Sequence, residues 1–259
     1  MRAMIFAAGL GTRLRPLTND RPKALVAVAG KPMLQHVIEH LKAAGVHELV
    51  INIHHFGDKV IDFIDHNANF GLTIHISDER QVSDSPLETG GGILYARQWL
   101  DGDEPFIVHN ADILTDLDLL AFYRSHCQRQ AMASLLVKQR DTQRYFLVDD
   151  DHRLRGWTNI ATGEVKPADV AGRLSVLHRR AFGGVHVISP AIFPLLEQYA
   201  AGRQAFGITP FYLDICTPHP IYAYQQLQPY SWFDIGKPET LRQAEAAMSA
   251  HGKDCSITT

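Results

Sequence analysis

The first apolar run of the chain, Met4-Ile5-Phe6-Ala7-Ala8, stops abruptly at Gly9. A short apolar run bounded by glycine reads as a buried strand, here residues 1–8. From 32 to 44 apolar positions recur at helical spacing, and Gly45 ends the run as a C-cap would. The same patterns predict strands over 48–53, 72–76 and 105–109, and helices over 58–66, 89–100 and 117–130. Strands alternating with helices argue for a parallel, doubly wound sheet. Ligands of such sheets sit beyond the carboxyl ends of the strands. The Gly9 turn and the Ala111-Asp112 segment both fall there.

Past residue 131 the pattern changes. A strand is expected over 133–138, then a hairpin over 145–157 turning at Asp149-Asp150-Asp151. Residues 158–181 read as polar and irregular. A strand over 181–188, helices over 190–199 and 209–216, and extended pieces over 221–226 and 229–234 follow. A closing helix spans 241–250, and the tail beyond His251 is expected to fray. No internal repeat, low-complexity segment or linker interrupts the chain. One domain over 1–259 with an inserted or appended substrate lobe is the simplest organisation.

Composition narrows the class. Hydrophobic content of 46% and charged content of 20% are ordinary for a soluble globular chain of 259 residues. A net charge of −3 argues against a nucleic-acid binder, which carries a basic footprint. Cys127, Cys216 and Cys255 are odd in number and far apart, as reduced thiols of a cytoplasmic protein would be. No signal peptide or membrane-length apolar run stands out, so a cytoplasmic protein with no membrane partner is expected.

Three stretches carry candidate chemistry. In 9–23, Gly9-Leu10-Gly11 is followed by Arg13, Arg15 and Lys23, with Pro16 and Pro22 restricting the loop. A dinucleotide fingerprint fails because position 14 is Leu, and no Walker lysine follows. Locally, a phosphate-binding turn and a plain turn with solvated cations both fit. In 86–93, Leu87-Glu88-Thr89-Gly90-Gly91-Gly92 puts three glycines at a helix start, which suits either a loose loop or close backbone approach to a flat ligand. Asp112 and Asp234 each end an apolar run, as a turn residue would, or as half of a Mg²⁺-binding carboxylate pair. His54, His55 and His109 show no metal-binding spacing. Of the Asp-x-Asp strings, Asp116-Leu117-Asp118 alone sits where a glycosyltransferase would hold its metal. A sensor that binds nucleotide-sugar without turnover is the other alternative.

The run Ala7-Ala8-Gly9-Leu10-Gly11-Thr12-Arg13-Leu14-Arg15-Pro16-Leu17-Thr18, then Pro22-Lys23 and Gly30-Lys31-Pro32-Met33, resembles the signature of the sugar-1-phosphate nucleotidyltransferases (nucleotide-sugar pyrophosphorylases). Asn110-Ala111-Asp112 resembles the family's Asn-Gly-Asp, and Trp232-Phe233-Asp234-Ile235-Gly236 its Trp-x-Asp-x-Gly. The resemblance implies a Rossmann-like, doubly wound mixed α/β sheet flanked by helices, of GT-A-like type, with a small sugar-binding lobe. The nucleotide-binding part would cover about 1–130, the sugar-binding part about 131–236, and a closing helix 237–250.

It also implies roles. Ala8, Gly9, Gly11, Thr12 and Arg13 would wrap the triphosphate, with Glu88, Gly90 and Gly91 at the base. Arg13 would act on the leaving pyrophosphate, and Lys23 on phosphate at the reaction centre. Asp112 and Asp234 would hold Mg²⁺. Asn110, Gly184 and Glu164 would face the sugar, Glu164 with its spacing one residue off the family's Glu-Lys-Pro. Arg140 and Arg144 would reach the sugar phosphate. The Leu-Glu-Thr-Gly-Gly-Gly form is similar to the branch of N-acetylmuramate-1-phosphate uridylyltransferases and mannose- or heptose-1-phosphate enzymes. It implies UTP with N-acetylmuramate 1-phosphate, and next GTP with mannose or heptose 1-phosphate, in a monomer or homodimer.

Overall fold

A computed structural model describes residues 1–254, and side chains as far as 249; Cys255 and the end of the expected tail lie outside the described residues. In chain order, β1 (Arg2–Phe6) leads through the 9–23 loop to a ribbon of β2 (Ala27–Val28) and β3 (Lys31–Pro32), then helix α1 (Met33–Ala43). There follow β4 (Glu48–Ile53), α2 (Gly57–His66), β5 (Thr73–Asp78), α3 (Glu88–Tyr95), α4 (Arg97–Leu100) and β6 (Phe106–Asn110). Next come β7 (Ile113–Thr115), α5 (Leu119–Arg129), β8 (Ala133–Lys138), β9 (Arg144–Val148), β10 (Leu154–Asn159) and β11 (Glu164–Lys166). The chain closes with β12 (His178–Ile188), α6 (Phe193–Ala200), α7 (Ile208–Ile215), β13 (Ile221–Tyr224), β14 (Trp232–Asp234) and α8 (Pro238–Asp254).

The main sheet has the order β5-β4-β1-β6-β12-β8-β13. Strands β5, β4, β1 and β6 are mutually parallel, as alternation with helices requires. β12 runs antiparallel to β6 and β8, so the sheet is mixed, as the family resemblance implies. The reason is its approach. β12 enters from β11 through a 3-10 stretch, Ala168–Val176, without the helical crossover that a parallel neighbour needs. The first residues of β12 also pair with β9, which joins the antiparallel β9-β10-β11 lobe to the main sheet.

Strand alternation covers both faces. On β1, Ala3 and Ile5 point to a core shared with α1, α2 and α5, and Met4 points to one shared with α3, α4, α6 and α7. A third cluster lies off the sheet, where Leu14 of the 9–23 loop packs with Val28, Met33, Ile235 and, on α8, Leu241 and Ala244. The last helix thus backs the first loop.

Three elements depart from the sequence pattern. The stretch 158–181 contains β11, the 3-10 stretch and the start of β12, because Leu147, Val170 and Leu177 form a small core with too few positions to show a period. The helix expected over 89–100 breaks at buried Ala96 into α3 and α4. The helix expected over 190–199 opens as a 3-10 turn, Pro190–Ile192. Among the described residues no helix is long and apolar enough to cross a membrane.

Candidate active site

The carboxyl ends of β4, β1 and β6 are laced together. The Ala7 N–H donates to Asn52 Oδ1 (2.8 Å), and the Ala111 N–H donates to the Phe6 carbonyl (3.1 Å). Asn52 Nδ2 donates to Glu79 Oε1 (2.6 Å), and the Leu87 N–H donates to Glu79 Oε2 (2.9 Å). Glu79 is fully buried, and burial raises its carboxyl above the usual range. This network holds the floor of a cleft of about 450 Å³. Asn52 and Glu79 are missed by sequence reading; a polar residue inside the apolar 48–53 run is the one signal that marks Asn52.

The 9–23 loop forms one wall. Ala8, Gly9, Gly11, Thr12, Arg13 and Lys23 all line the cleft. Gly11 has φ +65°, and a Cβ there would stand 3.0 Å from Lys23 Cβ and 3.1 Å from Thr18 Cγ2. Only glycine lets the loop turn this tightly on itself. The Thr18 hydroxyl donates to the Gly11 carbonyl (2.9 Å), and buried Leu14 anchors the loop from behind.

Asn110 and Asp112 form the facing wall. The Lys23 ammonium is ion-paired to Asp112 Oδ2 with both side chains largely covered, at 14% and 24% exposure. Strand β14 pairs with β7, Asp234 opposite Ile113, and the Ile235 N–H donates to the Asp112 carbonyl (2.8 Å). Asp234 Oδ1 accepts from the Gly236 N–H (2.9 Å). A Cβ on Gly236 would stand 2.7 Å from Asp234 Oδ1 and 3.0 Å from an Arg13 guanidinium nitrogen. Two cations of the loop thus stand near the two aspartates, Lys23 at Asp112 and Arg13 at Gly236 next to Asp234. Two carboxylates on neighbouring strand ends are a hard-oxygen set of the kind Mg²⁺ takes, and Lys23 already occupies Asp112 as a cation. The residues present fit that ion. Among the described residues, no third acid, His or Cys joins them.

The 86–93 stretch contributes differently from expectation. Exposed Glu88 and half-buried Thr89 line the cleft, and Glu88 is held at φ +60°. Gly90 and Gly91 do not line it. Both N–H groups donate to the Phe206 carbonyl, at 2.8 and 3.2 Å. A Cβ on Gly90 would overlap the Phe206 ring, and one on Gly91 would overlap the Gln204 carbonyl. The close approach is to the chain's own 204–206 segment, which satisfies the open donors of the helix start.

On the sugar side the residues separate. Gly184, at φ +77°, abuts the cleft residue Asn110, whose amide nitrogen lies 3.2 Å from where its Cβ would be. Arg144 and Glu164 are exposed on the β9-β10-β11 lobe, level with each other across Asn159, and outside the cleft lining. Glu164 pairs with Lys166 (2.8 Å). Local charge neutralisation on a lobe edge accounts for that contact. The Asp-x-Asp alternative is spent on structure: Asp116 accepts from the Ser231 N–H (2.6 Å), and Asp118 caps α5 through the Ala121 N–H (2.8 Å). His109 is buried, with Nδ1 2.9 Å from the Asn110 carbonyl.

Comparison with known proteins shows the family and the fold. A family model described as nucleotidyl transferase matches residues 2–251. An N-acetylmuramate alpha-1-phosphate uridylyltransferase of Caulobacter vibrioides is 34% identical, over 95% of this chain and 96% of the relative. Mannose-1-phosphate guanylyltransferase 1 of Arabidopsis thaliana is 32% identical, over 92% of this chain and 62% of its own longer one. In fold, the chain is similar to a putative glucose-1-phosphate thymidylyltransferase from Bacillus anthracis, with a TM-score of 0.78, 17% identity and 95% of each chain covered.

Proposed function

The chain belongs to the nucleotidyl transferase family, and from that premise we propose that it condenses a nucleoside triphosphate with a sugar 1-phosphate, releasing pyrophosphate. One observation supports this most: a single loop brings Lys23 to Asp112 and Arg13 to Gly236 in one cleft, with Asp234 against Gly236 just behind the lining. The sugar phosphate is the nucleophile. With a second pKa near ~6 it is largely dianionic at neutral pH, so its attack on the α-phosphorus needs no general base. The obstacle is the meeting of two anions and the departure of a third. Fixed cations aimed at that charge supply most of the acceleration in such reactions.

In this reading Lys23 bridges the α-phosphate and the incoming phosphate, and Arg13 takes the charge of the departing pyrophosphate. Ala8, Gly9, Gly11 and Thr12 present backbone to the triphosphate, with Glu88 at the base. Asn110 and Gly184 border the sugar. Asp112 and Asp234 hold Mg²⁺, which when bound neutralises phosphate charge. The whole chain acts as one unit, in the cytoplasm, where nucleoside triphosphates are available.

UTP and N-acetylmuramate 1-phosphate are the substrates this reading favours, supported by the near full-length likeness to a uridylyltransferase of that substrate. GTP with mannose 1-phosphate is the second reading, supported by the likeness to a guanylyltransferase. A matrix of nucleoside triphosphates against sugar 1-phosphates, read by pyrophosphate release, tests both. Release of nucleoside diphosphate instead would mark a glycosyltransferase, and no release at all a sensor.

A further inference from the structure

Strand β8 runs parallel to β6, two strands away across β12, so its carboxyl end lies on the same edge of the sheet as the cleft. Two cations mark that end, Lys138 and, two residues on, Arg140. The Lys138 ammonium sits over the ring of Tyr230 (4.1 Å) and near that of Trp232 (5.5 Å). The Arg140 guanidinium sits over Trp232 (4.9 Å), and one of its nitrogens donates to the Phe182 carbonyl (3.2 Å). Neither cation makes an ion pair with any described residue. Arg140 Nε and the Tyr230 hydroxyl are buried without a hydrogen-bond partner. Asp116 is the one carboxylate whose charge reaches Lys138, and it is taken up by the Ser231 N–H. Burial and the neighbouring guanidinium both pull the Lys138 ammonium below its ordinary range.

This patch is joined to the cleft. The Trp232 indole N–H donates to the Gly183 carbonyl (2.8 Å), and the next residue, Gly184, abuts Asn110. Trp232 and Asp234 are two residues apart on β14, about 7 Å, and share a face of it. A sugar phosphate held by Lys23 beside Asn110 would thus have Trp232 and the two cations behind it on the same edge of the sheet.

Two uncompensated cations beside a flat aromatic surface select an anionic sugar. A neutral hexose has nothing to offer them, and a buried donor left without a partner is costly. We propose that Lys138 and Arg140 recognise a carboxylate on the sugar, so that this enzyme discriminates acidic from neutral sugar 1-phosphates. The proposal rests on the nucleotidyltransferase reading above and narrows its second substrate.

N-acetylmuramate 1-phosphate and N-acetylglucosamine 1-phosphate differ by one lactyl ether carrying a carboxylate, which makes them the diagnostic pair. With UTP, the full-length enzyme should give a kcat/KM at least tenfold higher for the former. Arg140→Gln and Lys138→Gln should each collapse that ratio toward one, and Arg140→Lys should retain most of it. A merely structural role in supporting Trp232, or a role in holding the 1-phosphate, would lower both substrates equally and leave the ratio standing, which overturns the proposal. So would a wild-type preference for the neutral sugar. Calorimetric binding of the two sugar phosphates provides the same comparison without turnover. Absence of pyrophosphate release from every substrate pair sinks the nucleotidyltransferase reading alone, if selective binding of the acidic sugar persists and Arg140→Gln abolishes it.

Discussion

Arg13 and Lys23 show how much one side chain is asked to do here. Arg13 is exposed at the cleft mouth and Lys23 is mostly covered against Asp112. Neither supports a core, so removing either should leave the fold standing. Arg13→Ala and Lys23→Ala are expected to lower pyrophosphate release by about 10²–10³-fold, the usual cost of one preorganised charge donor. Turnover within a few-fold of wild type in both, at an unchanged melting temperature, would exclude the assigned roles. Asp112→Asn removes one carboxylate charge from the proposed Mg²⁺ site and loosens Lys23 as well. Pyrophosphate release should then fall steeply and need far more Mg²⁺ to recover. Activity undiminished at the original Mg²⁺ concentration would mean that the ion is held elsewhere.

At the scale of elements, the glycine-rich start of α3 is the informative case. Gly90 and Gly91 read from the family resemblance as base contacts, and in the structure both pack on the 204–206 segment. Gly90 and Gly91 admit the 204–206 segment so closely that a methyl group has no room. Overpacking of this sort costs about 1–3 kcal/mol. Gly91→Ala should therefore lower the melting temperature, by about 2–4 °C for each kcal/mol in a chain of this size. It should do so without removing any atom from the cleft. An unchanged melting curve would mean that the 204–206 segment moves aside at little cost. The β7–β14 pair is the complementary case. It is only three residues long, yet it sets Asp234 beside the Asp112 strand end across 121 intervening residues, a meeting that the family resemblance implied and that no local pattern shows.

Across the whole molecule, burial of imidazoles couples folding to pH. His109 and His126 are pushed down to about 4 and His186 to about 3, in each case chiefly by burial. His126 is wedged between the hydroxyls of Ser134 (2.9 Å) and Ser189 (3.0 Å), and His186 lies against the Tyr212 hydroxyl (3.0 Å). In the unfolded chain each titrates near about 6.5. Below that pH the unfolded state binds more protons than the native one, so acid favours unfolding. Their contribution is complete above about pH 6.5 and is lost as pH falls toward 4 and then 3. Denaturant midpoints should drop between pH 7.5 and pH 5; a flat profile over that window would contradict the burial of these rings.

What the sequence determined by itself is what short-range chemistry dictates. The apolar runs set β1, β4, β6 and β8, and helical spacing ended by Gly45 set α1. The tight turn at Gly11, the two loop cations and the two strand-end aspartates were all legible as residue types in place, and their joint likeness to a family was legible with them. Tertiary structure alone decided which of these meet. Lys23 and Asp112 are 89 residues apart, and Arg13 stands by Gly236 from the opposite end of the chain. It turned Gly90 and Gly91 inward, set Arg144 and Glu164 out on a lobe edge, and stacked Lys138 and Arg140 on the distant rings of Tyr230 and Trp232. The physical reason is common to all of these. Local pattern reports which face of an element is apolar, whereas the neighbour on that face depends on strand order and on the direction of β12, and both are set by packing between residues far apart in the chain.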